Sequence, residues 1–140
     1  PFLSAKIYRV LDANTNRAKE AMRVTEDVAR FVLDDKKLTA RWKQCRHRLT
    51  HLLLRFPVTY RELVRSRDSA ADIGSQSFIP DRARRGLSVR DLVIANLKRS
   101  QEAMRVLEEF SKLVAPGTSK GFQRLRFQLY ELEKDSLPKL

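Results

Sequence analysis

Apolar residues recur at helical spacing along most of the chain. Ile7, Val10, Leu11, Ala18, Ala21, Val24, Val28 and Phe31 predict a helix from about residue 4 to 33, ended by Asp34 and Asp35. Trp42, Cys45, Leu49, Leu52 and Leu53 share one face of a second helix, about 39–56, which Pro57 stops. Thr59-Tyr60-Arg61-Glu62 has capping-box spacing and predicts a short helix to about Ser66. Ser88-Val89-Arg90-Asp91 has the same spacing and opens a long helix to about Val114. After the Pro116-Gly117 turn, Phe122, Leu125, Leu129 and Leu132 stripe a last helix, about 119–134. Residues 67–86 lack apolar periodicity and form the longest predicted loop, a length that in a small domain usually serves function.

Two of these helices share a sequence. ANTNRAKEAMRVTEDVARFV (13–32) and ANLKRSQEAMRVLEEFSKLV (95–114) agree at ten of twenty positions without a gap. The return helices align as well, at an offset of 80: Trp42 with Phe122, Cys45 with Leu125, Arg46 with Arg126 and Leu49 with Leu129. The expected architecture is all-α and one domain over 1–140. Two pseudo-symmetric helical hairpins, about 4–56 and 88–134, would form a four-helix core, joined by a crossover (57–87) of a short helix and a long loop.

The repeat also matches at polar positions, which core packing alone does not require. With Asn14 at zero and about 100° per residue, Ala18, Ala21, Val24, Val28, Ala29, Phe31 and Val32 fall within about 100° either side of it. Asn14 thus stands in the apolar face. Arg17 lies within that face, Glu20 and Asp27 at its border, and Arg23 and Glu26 point away. The second copy repeats the geometry with Asn96, Arg99, Glu102 and Glu109. A buried amide and guanidinium require partners. Either Arg17 pairs with Glu20 in a structural network, or the two helices meet at a polar pocket.

Charge supports an anionic partner. Lys and Arg total 29 against 17 Asp and Glu, a net charge of +12. There is no glycine-rich phosphate cradle, so phosphate binding would fall to arginines. The supply includes Arg17, Arg23, Arg46, Arg67, Arg82, Arg84, Arg85, Arg99, Arg105 and Arg126. In the loop, Arg67-Asp68-Ser69-Ala70-Ala71-Asp72-Ile73-Gly74 offers two carboxylates. One would hold Mg²⁺ and the other orient or deprotonate a hydroxyl, or both would cap local structure, and the residues alone favour the caps. His47 and His51 have metal-ligand spacing but no third partner, Cys45 reads as a core thiol, and Met22 and Met104 read as packing. One cysteine excludes an intrachain disulfide and points to a reducing, cytoplasmic setting. No run approaches a membrane span. The chain begins at Pro1, consistent with a trimmed protein or a segment of a longer one.

YRVLDANTNRAKEAMRVTEDVARFVLDD, RSRDSAADIG and ANLKRSQEAMRVLEEFSKL together resemble a small all-helical family, over roughly Tyr8 to Leu132. It is the domain often fused to the N-terminus of thiamin phosphate synthase and also found alone. The resemblance implies a kinase that converts hydroxymethylpyrimidine monophosphate to the diphosphate, with ATP and Mg²⁺. On this reading Asn14 and Asn96 orient the pyrimidine or a phosphate oxygen, and Arg17 and Arg99 hold phosphates. Arg67, Arg46 and Arg126 add substrate contacts, Asp68 or Asp72 positions Mg²⁺, and Glu20 and Glu102 steady the arginines. The accepting group is already a phosphate, so positioning and electrostatics would dominate over base catalysis. Two other readings compete: a basic helical module for nucleic acid, against which the absence of any recognition motif speaks, and a docking domain for a fused synthase. A homo-oligomer stays open.

Overall fold

Neither copy of the repeated stretch contains glycine or proline, and each is helical throughout. The computed structural model of the protein describes residues 2–75 and 86–140. Their α-helices are α1 (Phe2–Asp27), α2 (Lys36–Leu53), α3 (Tyr60–Arg65), α4 (Val89–Val114) and α5 (Ser119–Ser136), and no strand occurs among the described residues. The protein is all-α, as its periodicity predicts. The long helix α1 packs against α4, α2 and α3, while α5 packs against α4 and α2. Trp42, Phe122, Leu49, Leu97, Leu107 and Leu129 are fully enclosed between α1, α2, α4 and α5, with Met22 and Met104 among them. Half of the loop, residues 76–85 with Arg82, Arg84 and Arg85, lies outside the described residues.

Local chemistry accounts for most element ends. Both capping boxes form: Thr59 with Glu62 starts α3, and Ser88 with Asp91 starts α4. The second helix begins earlier than its apolar stripe suggests, because Asp35 Oδ1 accepts from Leu38 N at 2.9 Å and caps it. Lys139 also reaches Asp35. Where the sequence predicts α1 to run on to residue 33, Val28–Val32 form a π-helical turn closed by Leu33 N→Val28 O at 3.0 Å. The wider turn changes the register of the last residues, and Phe31 and Val32 stand exposed.

The buried face of α1 is also turned from the expected one. Leu11, Asn14, Ala18, Ala21, Met22, Thr25, Glu26 and Ala29 are buried, and their centre lies about 60° round from Asn14, towards Leu11 and Met22. Arg17, expected within the face, is therefore exposed, and Glu26, expected to point away, is buried. The apolar Val24, Phe31 and Val32 had drawn the expected centre the wrong way, and all three are exposed. On α4 the same positions displaced by 82 are buried, namely Val93, Asn96, Ser100, Ala103, Met104, Leu107, Glu108 and Ser111, together with Leu97 and Gln101.

Buried Glu26 and Glu108 are each satisfied by an arginine of the return helix. Arg46 donates through Nε to Glu26 Oε2 at 2.5 Å and through Nη2 to Oε1 at 3.1 Å. Arg126 donates through Nε and Nη2 to Glu108 Oε2 at 3.2 and 3.0 Å, and through Nη1 to the Tyr130 hydroxyl at 3.2 Å. These pairs join each long helix to its return helix. Cys45 is a core thiol whose pKa burial pushes up to about 11, against the opposing pull of Arg48 and Arg41.

Candidate active site

The N-terminal half of α1 and the start of the loop line an open cavity of about 740 Å³. About three turns of α1 present Lys6, Arg9, Asp12, Ala13, Asn14, Asn16 and Arg17, and the loop presents Arg67, Asp68, Ser69 and Asp72. Five residues expected from the sequence thus share one cavity: Asn14, Arg17, Arg67, Asp68 and Asp72. A second groove, about 420 Å³, adjoins it between α1 and α4 and is lined by Arg17, Glu20, Ala21, Val24, Asn96 and Arg99. Arg17, Asn16 and Ala13 line both spaces.

Asn14 holds Arg17 in place. Its Nδ2 donates to the Val10 carbonyl at 2.9 Å, and its Oδ1 accepts from Arg17 Nη1 at 2.8 Å. Arg17 is thus ordered by Asn14 and not by the expected Glu20, which is exposed. One N–H of the guanidinium is committed and the others face the two spaces. In the second copy, Asn96 Nδ2 donates to the Leu92 carbonyl at 2.8 Å. Exposed Arg99 makes no hydrogen bond or ion pair with the described residues. The expected tie of Glu102 to Arg99 is likewise absent among them, and Glu102 lies on the exposed side of α4.

Asp12 is the residue that assembles the cavity. Its buried carboxylate receives Arg67 Nε at 2.5 Å and Nη2 at 2.9 Å, with Asn16 Nδ2 at 3.4 Å. The bidentate contact anchors the loop to α1, and this hydrogen bonding raises the Arg67 pKa further above its already high value. Arg9 Nη2 reaches the Asp68 carbonyl at 3.5 Å, a second tie. Arg67, expected to bind substrate, is therefore first of all a tether. Neither Asp12 nor Arg9 was expected from the sequence, yet a signal exists: at the position of Asp12 the second copy carries Ile94.

Arg46 and Arg126, also expected to contact substrate, line neither space. Each closes on a buried carboxylate, because Glu26 and Glu108 fall inside the buried face and require a counter-charge. His47 and His51 are both exposed, and no cluster of three or more metal-ligating side chains occurs among the described residues.

The loop carboxylates cap local turns, the reading that the residues alone favoured. Asp68 Oδ1 accepts from Ala71 N at 3.1 Å and Asp72 Oδ1 from Gly74 N at 2.9 Å, so each orders its own turn. Each spends one oxygen in this way and retains the other, and both line the cavity. Two carboxylates with further ligands from phosphate oxygens suit Mg²⁺, which rarely needs an all-protein cage. With the Arg67–Asp12 pair internally neutral, Arg9 and Arg17 stand against Asp68 and Asp72, and Arg99 stands in the adjoining groove. The arrangement can hold a polyanion with a divalent cation beside it.

No helix of the described residues is long and apolar enough to cross a membrane. Comparison with known proteins finds relatives of much greater length. The chain is 40% identical over 131 residues to a thiamine-phosphate synthase of Synechocystis sp., covering 94% of this chain and 36% of that protein. It is 37% identical over 129 residues to the thiamine-phosphate synthase of Nostoc punctiforme, covering 92% and 35%. For that of Rhodopirellula baltica the figures are 36% over 128 residues, 91% and 33%. The chain thus spans about a third of the length of these curated relatives. No solved structure matches it. The profile of the ThiD2 family matches residues 9–135, nearly the whole chain, and the protein belongs to that family.

Proposed function

We propose that this protein is a kinase of thiamin biosynthesis, transferring the terminal phosphoryl group of ATP to hydroxymethylpyrimidine monophosphate. The observation that carries this reading is the cavity itself, where Arg17 ordered by Asn14, Arg9, and the half-free carboxylates of Asp68 and Asp72 converge. Membership of the ThiD2 family supports the pathway, since relatives of this chain are thiamine-phosphate synthases. Their greater length supports a partnership with a synthase domain.

The chemistry asks little of a general base. A phosphomonoester oxygen is already ionised near neutral pH and is itself the nucleophile. It forms a bond to the terminal phosphorus of the donor while the bond to the bridging oxygen breaks, and ADP leaves with that electron pair. Arg17 stabilises negative charge on the transferring group, and Asn14 keeps its guanidinium from swinging into solvent. Arg9 adds positive charge on the side of the loop. Asp68 and Asp72 would hold Mg²⁺, which when bound neutralises donor phosphates. The Asp12–Arg67 pair keeps the loop closed on α1, so that the cationic and anionic groups face one space.

The test is conversion. Incubated with ATP, Mg²⁺ and hydroxymethylpyrimidine monophosphate, the protein should yield ADP and the pyrimidine diphosphate in equal amounts, followed by ion-exchange chromatography. ADP without the diphosphate, or no reaction at all, would sink this function.

A further inference from the structure

The two adjoining spaces differ in size, charge and free hydrogen-bonding groups, and Arg17 lines both. We infer that they are two subsites of one reaction: the larger cavity takes the nucleoside triphosphate, and the groove beside Asn96 and Arg99 takes the phosphorylated aminopyrimidine. This inference rests on the kinase reading above and assigns its substrates to places.

Three observations carry the assignment. The first is relative size: the space against the loop is about 740 Å³ and the groove about 420 Å³, so the larger reactant is assigned to the larger space. The second is the loop carboxylates. Asp68 and Asp72 line only the larger space, and a divalent cation travels with a polyphosphate more readily than with a monoester. Third, the two asparagines are used differently. Asn14 uses Nδ2 on Val10 and Oδ1 on Arg17, so both of its polar groups already have a protein partner. Asn96 commits Nδ2 to Leu92, while its Oδ1 receives no hydrogen bond from the described residues. An amide oxygen accepts from an exocyclic amine, and Arg99, one helical turn away, answers a phosphate at the other end of the same molecule. A small ligand with a donor at one end and a dianion at the other fits this pair.

Arg17 then stands at the junction, where the acceptor oxygen meets the terminal phosphorus of the donor. A guanidinium with one N–H fixed on Asn14 and the rest free can contact both reactants at once. The acceptor oxygen bonds to that phosphorus, the bridging P–O bond breaks, and ADP remains in the larger space.

Steady-state kinetics with both substrates varied separates the subsites. Arg99→Ala should raise KM for the pyrimidine monophosphate by about ten- to a hundredfold and leave KM for ATP within about twofold. Arg9→Ala should do the opposite. Both side chains project from helix surfaces, and circular dichroism checks that each variant stays folded. A second arm uses an acceptor in which hydrogen replaces the exocyclic amine. Wild type should discriminate against it by at least about tenfold in kcat/KM, and Asn96→Asp, which keeps an acceptor oxygen, should retain that preference. If Arg99→Ala moves KM for ATP instead, or the amine makes no difference, the assignment is overturned while the kinase stands. If wild type forms no diphosphate at all, the kinase reading falls and takes the assignment with it.

Discussion

The two long helices of this protein carry almost the same scaffold and different chemistry. Most buried positions on α1 and α4 coincide at an offset of 82, and Glu26–Arg46 and Glu108–Arg126 are the same interior ion pair made twice. The helices part company towards their N-termini. Where α4 begins with the capping pair Ser88 and Asp91, α1 carries Lys6 and Arg9, which line the larger cavity. Where α4 buries part of Ile94, α1 places Asp12 and captures the loop through Arg67. One Asn–Arg pair is closed and the other open. The repeated residues hold the helices together, and the residues that depart from the repeat make the two spaces unlike.

The comparison can be broken first at its shared part. Arg126→Met should leave the Glu108 carboxylate buried without a counter-charge and cost about 3 kcal/mol, read from urea unfolding. Arg46→Met should cost less, about 2 kcal/mol, because Arg46 is the more exposed of the two: its side chain is 20% accessible against 11% for Arg126. Equal costs would mean that accessibility does not govern these pairs.

A smaller effect is expected where the return helices differ. Gly121 lies so near α2 that an added Cβ would meet Leu52 Cδ2 at 2.3 Å. Its counterpart in the first half is Arg41, which faces outward to Asp135 at 2.8 Å. Gly121→Ala should therefore destabilise by about 1–2 kcal/mol through overpacking, seen as a lower thermal midpoint. No change would mean that Leu52 yields freely.

Copying the second half into the first sharpens the contrast further. Asp12→Ile removes the loop anchor while keeping the helix, and should lower kcat/KM on the order of tenfold, about 1.4 kcal/mol of transition-state stabilisation. The fold should persist, and the loop around Arg67 should become more open to limited proteolysis. Unchanged turnover would show that the tether does not position the site.

The least effect concerns pH. Backbone and side-chain hydrogen bonds from Ser88 hold the Asp91 pKa below its ordinary value, and bonds from Thr59 do the same for Glu62. A lowered folded pKa contributes stability that is complete above the unfolded value, about 4, and is lost as pH falls through the folded one. Asp91→Asn should make the loss of stability between about pH 5 and 3 shallower, measured by urea titration at each pH. An unaltered slope would count against the cap.

Much of this was legible in the chain. Glycine-free, proline-free periodicity marked the helices, and two S/T-x-x-D/E spacings marked helix starts that both form caps. The polar pocket read from the repeat was placed between the two long helices, where the smaller groove lies, whereas Asn14, Arg17 and the loop carboxylates meet in the larger space between α1 and the loop. What escaped depended on where the burial face is centred. Val24, Phe31 and Val32 look like core and lie exposed beside a π-helical turn that periodicity does not encode. That error hid the burial of Glu26, and with it the interior roles of Arg46 and Arg126. The Asp12–Arg67 anchor joins residues 55 apart in sequence, and only the mismatch of Asp12 with Ile94 hinted at it.

The central claim is that chemistry takes place at Arg17, where the two spaces meet. Its most direct test is turnover of ATP and hydroxymethylpyrimidine monophosphate by Arg17→Ala beside wild type, under saturating substrate. The side chain is exposed, so the thermal midpoint should hold, while kcat should fall about a hundredfold or more. A variant that keeps wild-type kcat would contradict the account.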